Sequence, residues 1–172
     1  MVRENAGFEA SDSEIEVMRA AAWNFTKLGV DGLVVGFAKS GWLSLEPLTA
    51  VIEAAPAVPV TFHRAFDTLE DPLSAVGTLS SVSRIDGILT SGGEGSPEER
   101  CSRLRAYAAR SGPRVAIIAG GGVDLEAFRV FVSAGCVRQI HVGRAAREGA
   151  NPEGPVAATA VRRLRDLADA HA

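Results

Sequence analysis

The chain has 172 residues, 47% of them hydrophobic and 23% charged, enough to bury a core as one globular domain and not the composition of a disordered, collagen-like or coiled-coil chain. A formal net charge of -3 and a pI near 5.6 supply no basic field for a phosphate backbone, so nucleic acid is not an expected partner. No apolar run approaches the roughly 18 residues of a spanning helix, and the start MVRENAGFEASDSE has no apolar signal-peptide segment, so the expectation is a cytoplasmic protein with no membrane partner.

Along the chain, short Val- and Ile-rich runs alternate with stretches of helical period, the pattern of βα repetition. Met1 to Arg3 reads as the tail of a strand, and Ser11 with Glu14 is a capping box that opens a helix. Gly29 closes that helix before a strand over Asp31 to Phe37. Further strands are expected at Val58 to Phe62, Ile85 to Thr90, Arg114 to Ala119 and Gln139 to Gly143. Asp71-Pro72, Ser96-Pro97 and Asn151-Pro152 each place proline just inside a helix start, and Ser96 with Glu99 repeats the capping box. Gly112 and Gly135 stand where a helix ends in the left-handed conformation that suits glycine. The whole reads as a single domain over residues 1–172.

Every strand is reached through a helix, so the strands are expected to run parallel with their outer faces covered. Alternation then sorts the side chains. Leu33, Val35 and Phe37 share one face, as do Val115, Ile117 and Ala119, and as do Val60 and Phe62; these bulky faces should meet helices. Arg3, His63, Thr90 and His141 fall on the opposite, interior face. Polar groups pointing inward near strand ends suit the mouth of a TIM-type (βα) barrel, with an open doubly wound sheet as the alternative. An eightfold barrel takes about 250 residues, whereas about six βα units can be counted here, so two units are expected to be missing from the front.

The segments SDSEIEVMRA, DGLVVGFAKSGWL, PVTFHRAFDTLEDPLSAV, ILTSGG, IAGGGV and IHVGRA, in that order, resemble the CutC family, and Pro59 to Pro72 carries the most specific part of the likeness. The resemblance implies an α/β TIM-type barrel, incomplete at the N-terminus, in a cytoplasmic and dimeric protein implicated in copper homeostasis. Copper is the metal it implies. In the family that role leans on cysteines, and this chain departs from the pattern: the early strand cysteines are absent and His141 is followed by Val142. Its two cysteines, Cys101 and Cys136, are in no CxxC spacing, match no family ligand, and read as ordinary buried thiols.

Other residues suggest an enzyme acting on a small phosphorylated or carboxylated molecule. Gly120-Gly121-Gly122 after one strand and Gly143-Arg144 after the next resemble the backbone cradle with which many βα barrels hold an anion. Arg3 could add a bidentate contact, and Thr90 and Ser91 could donate hydroxyls or instead close a turn with Gly92 and Gly93. His63, at a strand end, is a candidate proton-transfer group. Arg64 beside it could act with it, or pair with Asp67 or Asp71 to fix the loop. His141 reads as a core histidine. Trp42, in the loop AKSGWL, could serve as a lid or rim contact. Lys27 and Lys39 are the only lysines, neither at a strand end, which sets aside Schiff-base chemistry; no GxGxxG, GxxxxGK[ST] or HExxH occurs.

Overall fold

The computed structural model describes residues 7–171, so Arg3 and the strand expected at Met1 to Arg3 lie outside the described residues. The chain divides into two compact units, Met1–Ile88 and Leu89–Ala172, described in turn.

In the first unit, helix α1 (Asp12–Lys27) opens on the Ser11/Glu14 capping box, with the Ser11 N–H donating to Glu14 Oε2 at 2.8 Å. Strand β1 (Leu33–Val35) follows and is shorter than expected. The segment after it, read as a plain loop, is a small hairpin of β2 (Ala38–Lys39) and β3 (Trp42–Leu43). Its two-residue turn puts Ser40 at φ 49° and Gly41 at φ 81°, both left-handed, as tight hairpins require. Trp42 is exposed. Helix α2 (Leu45–Glu53), strand β4 (Val60–Phe62), helix α3 (Pro72–Ser81) and strand β5 (Ile85–Thr90) complete the unit. Asp71 caps α3 by accepting from the Ser74 N–H at 3.0 Å. Strands β1, β4 and β5 pair in parallel, and Phe37, Leu48, Val60, Phe62, Val76 and Leu79 form the buried core.

One expectation fails in β5. Val60 pairs with Ile85 but Thr61 with Gly87 and Phe62 with Ile88, a register shift in which Asp86 is the extra residue. A bulge reverses the alternation beyond it. Ile88 therefore lies on the helix-covered face with Phe62, and Thr90, two residues on, shares that face instead of the interior one and is buried.

In the second unit, β5 ends at Leu89 and Thr90, and helix α4 (Pro97–Ser111), strand β6 (Ala116–Gly120), helix α5 (Leu125–Ala134), strand β7 (Gln139–His141) and helix α6 (Ala158–Asp169) follow. β6 and β7 are parallel, with Gly120 opposite His141. Val115, Ile117 and Ala119 are buried, as their parity predicts, together with Leu104, Tyr107 and Phe131. Gly29, Gly112 and Gly135 stand at φ 73°, 71° and 59°, the helix stops expected of them. The Asn151-Pro152 start is a correction: α6 begins only at Ala158. Asn151 Oδ1 instead accepts from the Glu153 N–H at 3.1 Å in a turn, because Pro155 lacks an N–H and disfavours helical geometry at Gly154 before it. His141 is exposed rather than a core residue, since Ile140, not His141, faces the helices.

Candidate functional site

In the first unit His63 ends β4 and begins a short 3-10 turn over Arg64–Thr68. Its N–H donates to Val35 O at 3.3 Å, and its Nδ1 accepts from the Ala65 N–H at 3.1 Å. That bond makes Nδ1 an acceptor, so in the neutral ring the proton sits on Nε2. The ring is half-buried, with its centroid 5.3 Å from that of Phe8 and 6.0 Å from that of Phe62. Gly36 makes room for it: a Cβ there would lie 2.8 Å from His63 Nδ1. Arg64 Nε is 2.8 Å from Asp67 Oδ2, the pairing that fixes the loop. A separate open cleft of about 630 Å³ is lined by Glu9, Asp12, Glu16, Lys39, Ser44 and Glu46 among others. It contains none of the candidates read from the sequence, and no motif pointed to it.

In the second unit three strand ends lie in order. After β5, Thr90 Oγ1 accepts from the Gly92 N–H and Ser91 Oγ from the Gly93 N–H, both at 3.1 Å, so both hydroxyls close the turn. After β6, Gly121 and Gly122 take φ 90° and 61°. α5 then starts at its cap Asp124, which accepts from the Ala127 N–H at 2.9 Å. After β7, Gly143 and Arg144 are exposed and lead into a 3-10 turn over Arg144–Ala146.

The residue that joins two of these ends was not singled out in the sequence. Arg100, on α4 and 8% exposed, donates from Nε to Ser91 O at 2.7 Å and from Nη2 to Gly121 O at 2.9 Å, with Nη1 3.5 Å from Gly122 O. Its guanidinium also lies 5.2 Å from the Phe131 ring centroid. In a trans peptide the C=O and the following N–H point opposite ways, so carbonyls turned toward Arg100 turn the N–H groups of Gly122 and Val123 away from it. Arg103, one turn on, donates to the carbonyls of Gly92 and Glu94. A signal for Arg100 existed: with Leu104, Tyr107 and Ser111 it recurs at i, i+4, i+7 and i+11, the buried face of α4.

Among the described residues no group of three or more His, Cys, Asp or Glu could hold a metal ion. Cys101, on α4, and Cys136, just after α5, are both buried free thiols. Cys136 also donates from Sγ to Phe131 O at 3.6 Å. Burial, then the neighbouring Cys101, push the Cys136 thiol up to about 12, against a lowering by Arg105.

The CutC family model matches residues 1–146. The family protein CutC of Xanthomonas campestris pv. campestris strain 8004 is 35% identical over 161 residues, covering 92% of this chain and 63% of that protein. The human copper homeostasis protein cutC homolog is 34% identical over 138 residues, covering 78% of this chain and 50% of its own length. The chain thus spans between half and two thirds of these relatives. The crystal structure of CutC from Streptococcus agalactiae superposes with a TM-score of 0.72 at 26% identity, covering 82% of this chain and 70% of that one. The fold is accordingly an incomplete α/β barrel of the TIM type.

Proposed function

Since the chain belongs to the CutC family, we propose that it serves copper homeostasis by binding copper as cargo, in the cytoplasm and as a dimer. The observation that supports this most is the family match itself, together with mammalian relatives of that printed role. The described helices include none long and apolar enough to cross a membrane, which agrees with a role away from the bilayer. The test is genetic: deleting the gene in its own cell should alter growth across a copper series, and restoring this chain should reverse the change. Identical growth of deleted and restored cells at every copper level would overturn the reading.

A second reading is supported by Arg100. By drawing the Gly121 and Gly122 carbonyls inward, it leaves a glycine backbone beside Gly143 and Arg144 that suits a small phosphate or carboxylate. Asp124 at the α5 cap opposes an anion there, so the affinity expected is weak, in the millimolar range or above. Calorimetric titration with inorganic phosphate should show binding that Arg144→Ala weakens; no binding by the native chain would end this reading. The roles considered for Arg3 and Ser91 belong to it as contacts still to be probed by substitution, whereas Thr90, buried on the other face, holds the turn beside them. For His63, Nδ1 is engaged by Ala65, so proton transfer would run through Nε2, and Arg64 would act only by holding Asp67.

A further inference from the structure

We propose that two copies of this chain associate by setting helix α6 of one copy into the open cleft beside the N-terminal ends of α1 and α2 in the other. The inference rests on the dimer reading above and names the surfaces that would make the dimer. Charge is divided unevenly along the chain. The first unit, Met1–Ile88, carries 12 acidic and 6 basic residues, and the second, Leu89–Ala172, carries 9 acidic and 12 basic. Each unit therefore bears the sign that attracts the other unit of a second copy.

The cleft is where the acidic excess of the first unit meets apolar surface. It has a volume of about 630 Å³, and its lining sets Ile15, Phe37 and Leu45 beside Asp12, Glu16 and Glu46. Glu16 is paired with Arg19 at 2.7 Å, and Glu9, also in the lining, with Lys39 at 3.6 Å. Asp12 and Glu46 stand exposed in the first turns of α1 and α2, and among the described residues no ion pair engages either of them. An apolar floor with charge at its rim is the anatomy of a protein interface. The same carboxylates belong to no group among the described residues that could hold a metal ion.

α6 offers the complement. Leu164 is its buried residue, Val161 is 45% exposed, and a shallow groove along the helix is lined by Arg162, Arg163, Asp166 and Leu167 with Thr159. Arg165 is paired with Asp169 at 2.9 Å. Arg162 and Arg163 are exposed, and neither holds a carboxylate among the described residues. A guanidinium takes a carboxylate bidentately, so this pair suits Asp12 and Glu46, while Asp166 suits Lys39, the cation of the cleft. Val161 and Leu167 give α6 an apolar strip to set against the cleft floor. The helix N-termini beside Asp12 and Glu46 offset part of their charge, so the affinity expected is moderate, about micromolar.

The experiment is sedimentation velocity of the full chain over a concentration series. The native chain should form dimers whose dissociation constant rises about tenfold or more between about 0.05 M and about 0.5 M salt, because rim pairs are screened. Asp12→Lys with Glu46→Lys reverses the cleft, and Arg162→Glu with Arg163→Glu reverses the helix. Each pair of substitutions should weaken self-association about a hundredfold, since like charges then face each other. Mixed in equal amounts, the two variants should associate to within about tenfold of the native chain, because every cleft again meets a helix of opposite charge; that rescue also shows both variants to be folded. Variants that dimerise as tightly as the native chain, or a native dimer indifferent to salt, would overturn this contact and leave the dimer reading standing; the salt series needs no variant to fold. A native chain that stays monomeric throughout would overturn the contact and the dimer reading together, and would leave the cleft to a foreign basic partner.

Discussion

Replacing Arg100 by methionine keeps the aliphatic stem against Phe131 and removes the guanidinium that ties the β5 and β6 ends together. The bonds lost are those to Ser91 O at 2.7 Å and Gly121 O at 2.9 Å, with the 3.5 Å approach to Gly122 O too long to count for much. A hydrogen bond to a charged group contributes about 1.5–3 kcal/mol, so losing two of them should cost about 3 kcal/mol or more. For a chain of this size each kcal/mol moves the melting temperature by about 2–4 °C, which gives a fall of about 6–12 °C. Arg100→Lys retains the charge, but its compact ammonium cannot span both loops, and about half that loss is expected. Calorimetry or circular dichroism on the three proteins reads the effect, which should persist in 1 M salt because the group is buried. A methionine variant that melts within 2 °C of the native protein would refute the claim that Arg100 organises these strand ends.

Gly36→Ala should cost about 1–3 kcal/mol, since the new Cβ would lie 2.8 Å from His63 Nδ1 and 3.1 Å from Phe62 Cε2. The same change should shift the His63 ring resonances in an NMR spectrum, and unchanged resonances would contradict it. Ser96→Ala removes the hydroxyl that accepts from the Glu99 N–H at 3.3 Å, for a loss of about 1 kcal/mol by urea unfolding. Alkaline stability should report Cys136, whose folded-state value of about 12 stands above its ordinary 9.0. Below about pH 9 its contribution is fully present; as pH rises toward 12 the unfolded thiol ionises while the folded one does not, and stability falls by up to about 1.4 kcal/mol per pH unit. Cys136→Ala should flatten that loss, and an equally steep fall in the variant would assign the alkaline sensitivity to other groups.

What could be read from the sequence divides along physical lines. The two capping boxes, at Ser11 and Ser96, were legible because a cap is settled within four residues. The outer faces of β4 and β6 were legible because alternation is rigid while pairing stays regular. Thr90 escaped for the converse reason: the extra residue at Asp86 reverses the alternation, and nothing local marks it. Asn151-Pro152 looked like a helix start because the cap pattern is short, while Pro155 decided the outcome from further along. Arg100 was disguised by the charged run of α4, although its helical phase placed it with Leu104. The family likeness was legible in the motifs, whereas a copper ligand set was not, because the cysteines present here are in no spacing that a motif would mark.

The most direct measurement is native mass spectrometry of the protein isolated without chelators from its own cells grown with and without added copper. The account predicts a chain that carries copper in the copper-fed cells. A metal-free protein under both conditions would contradict it.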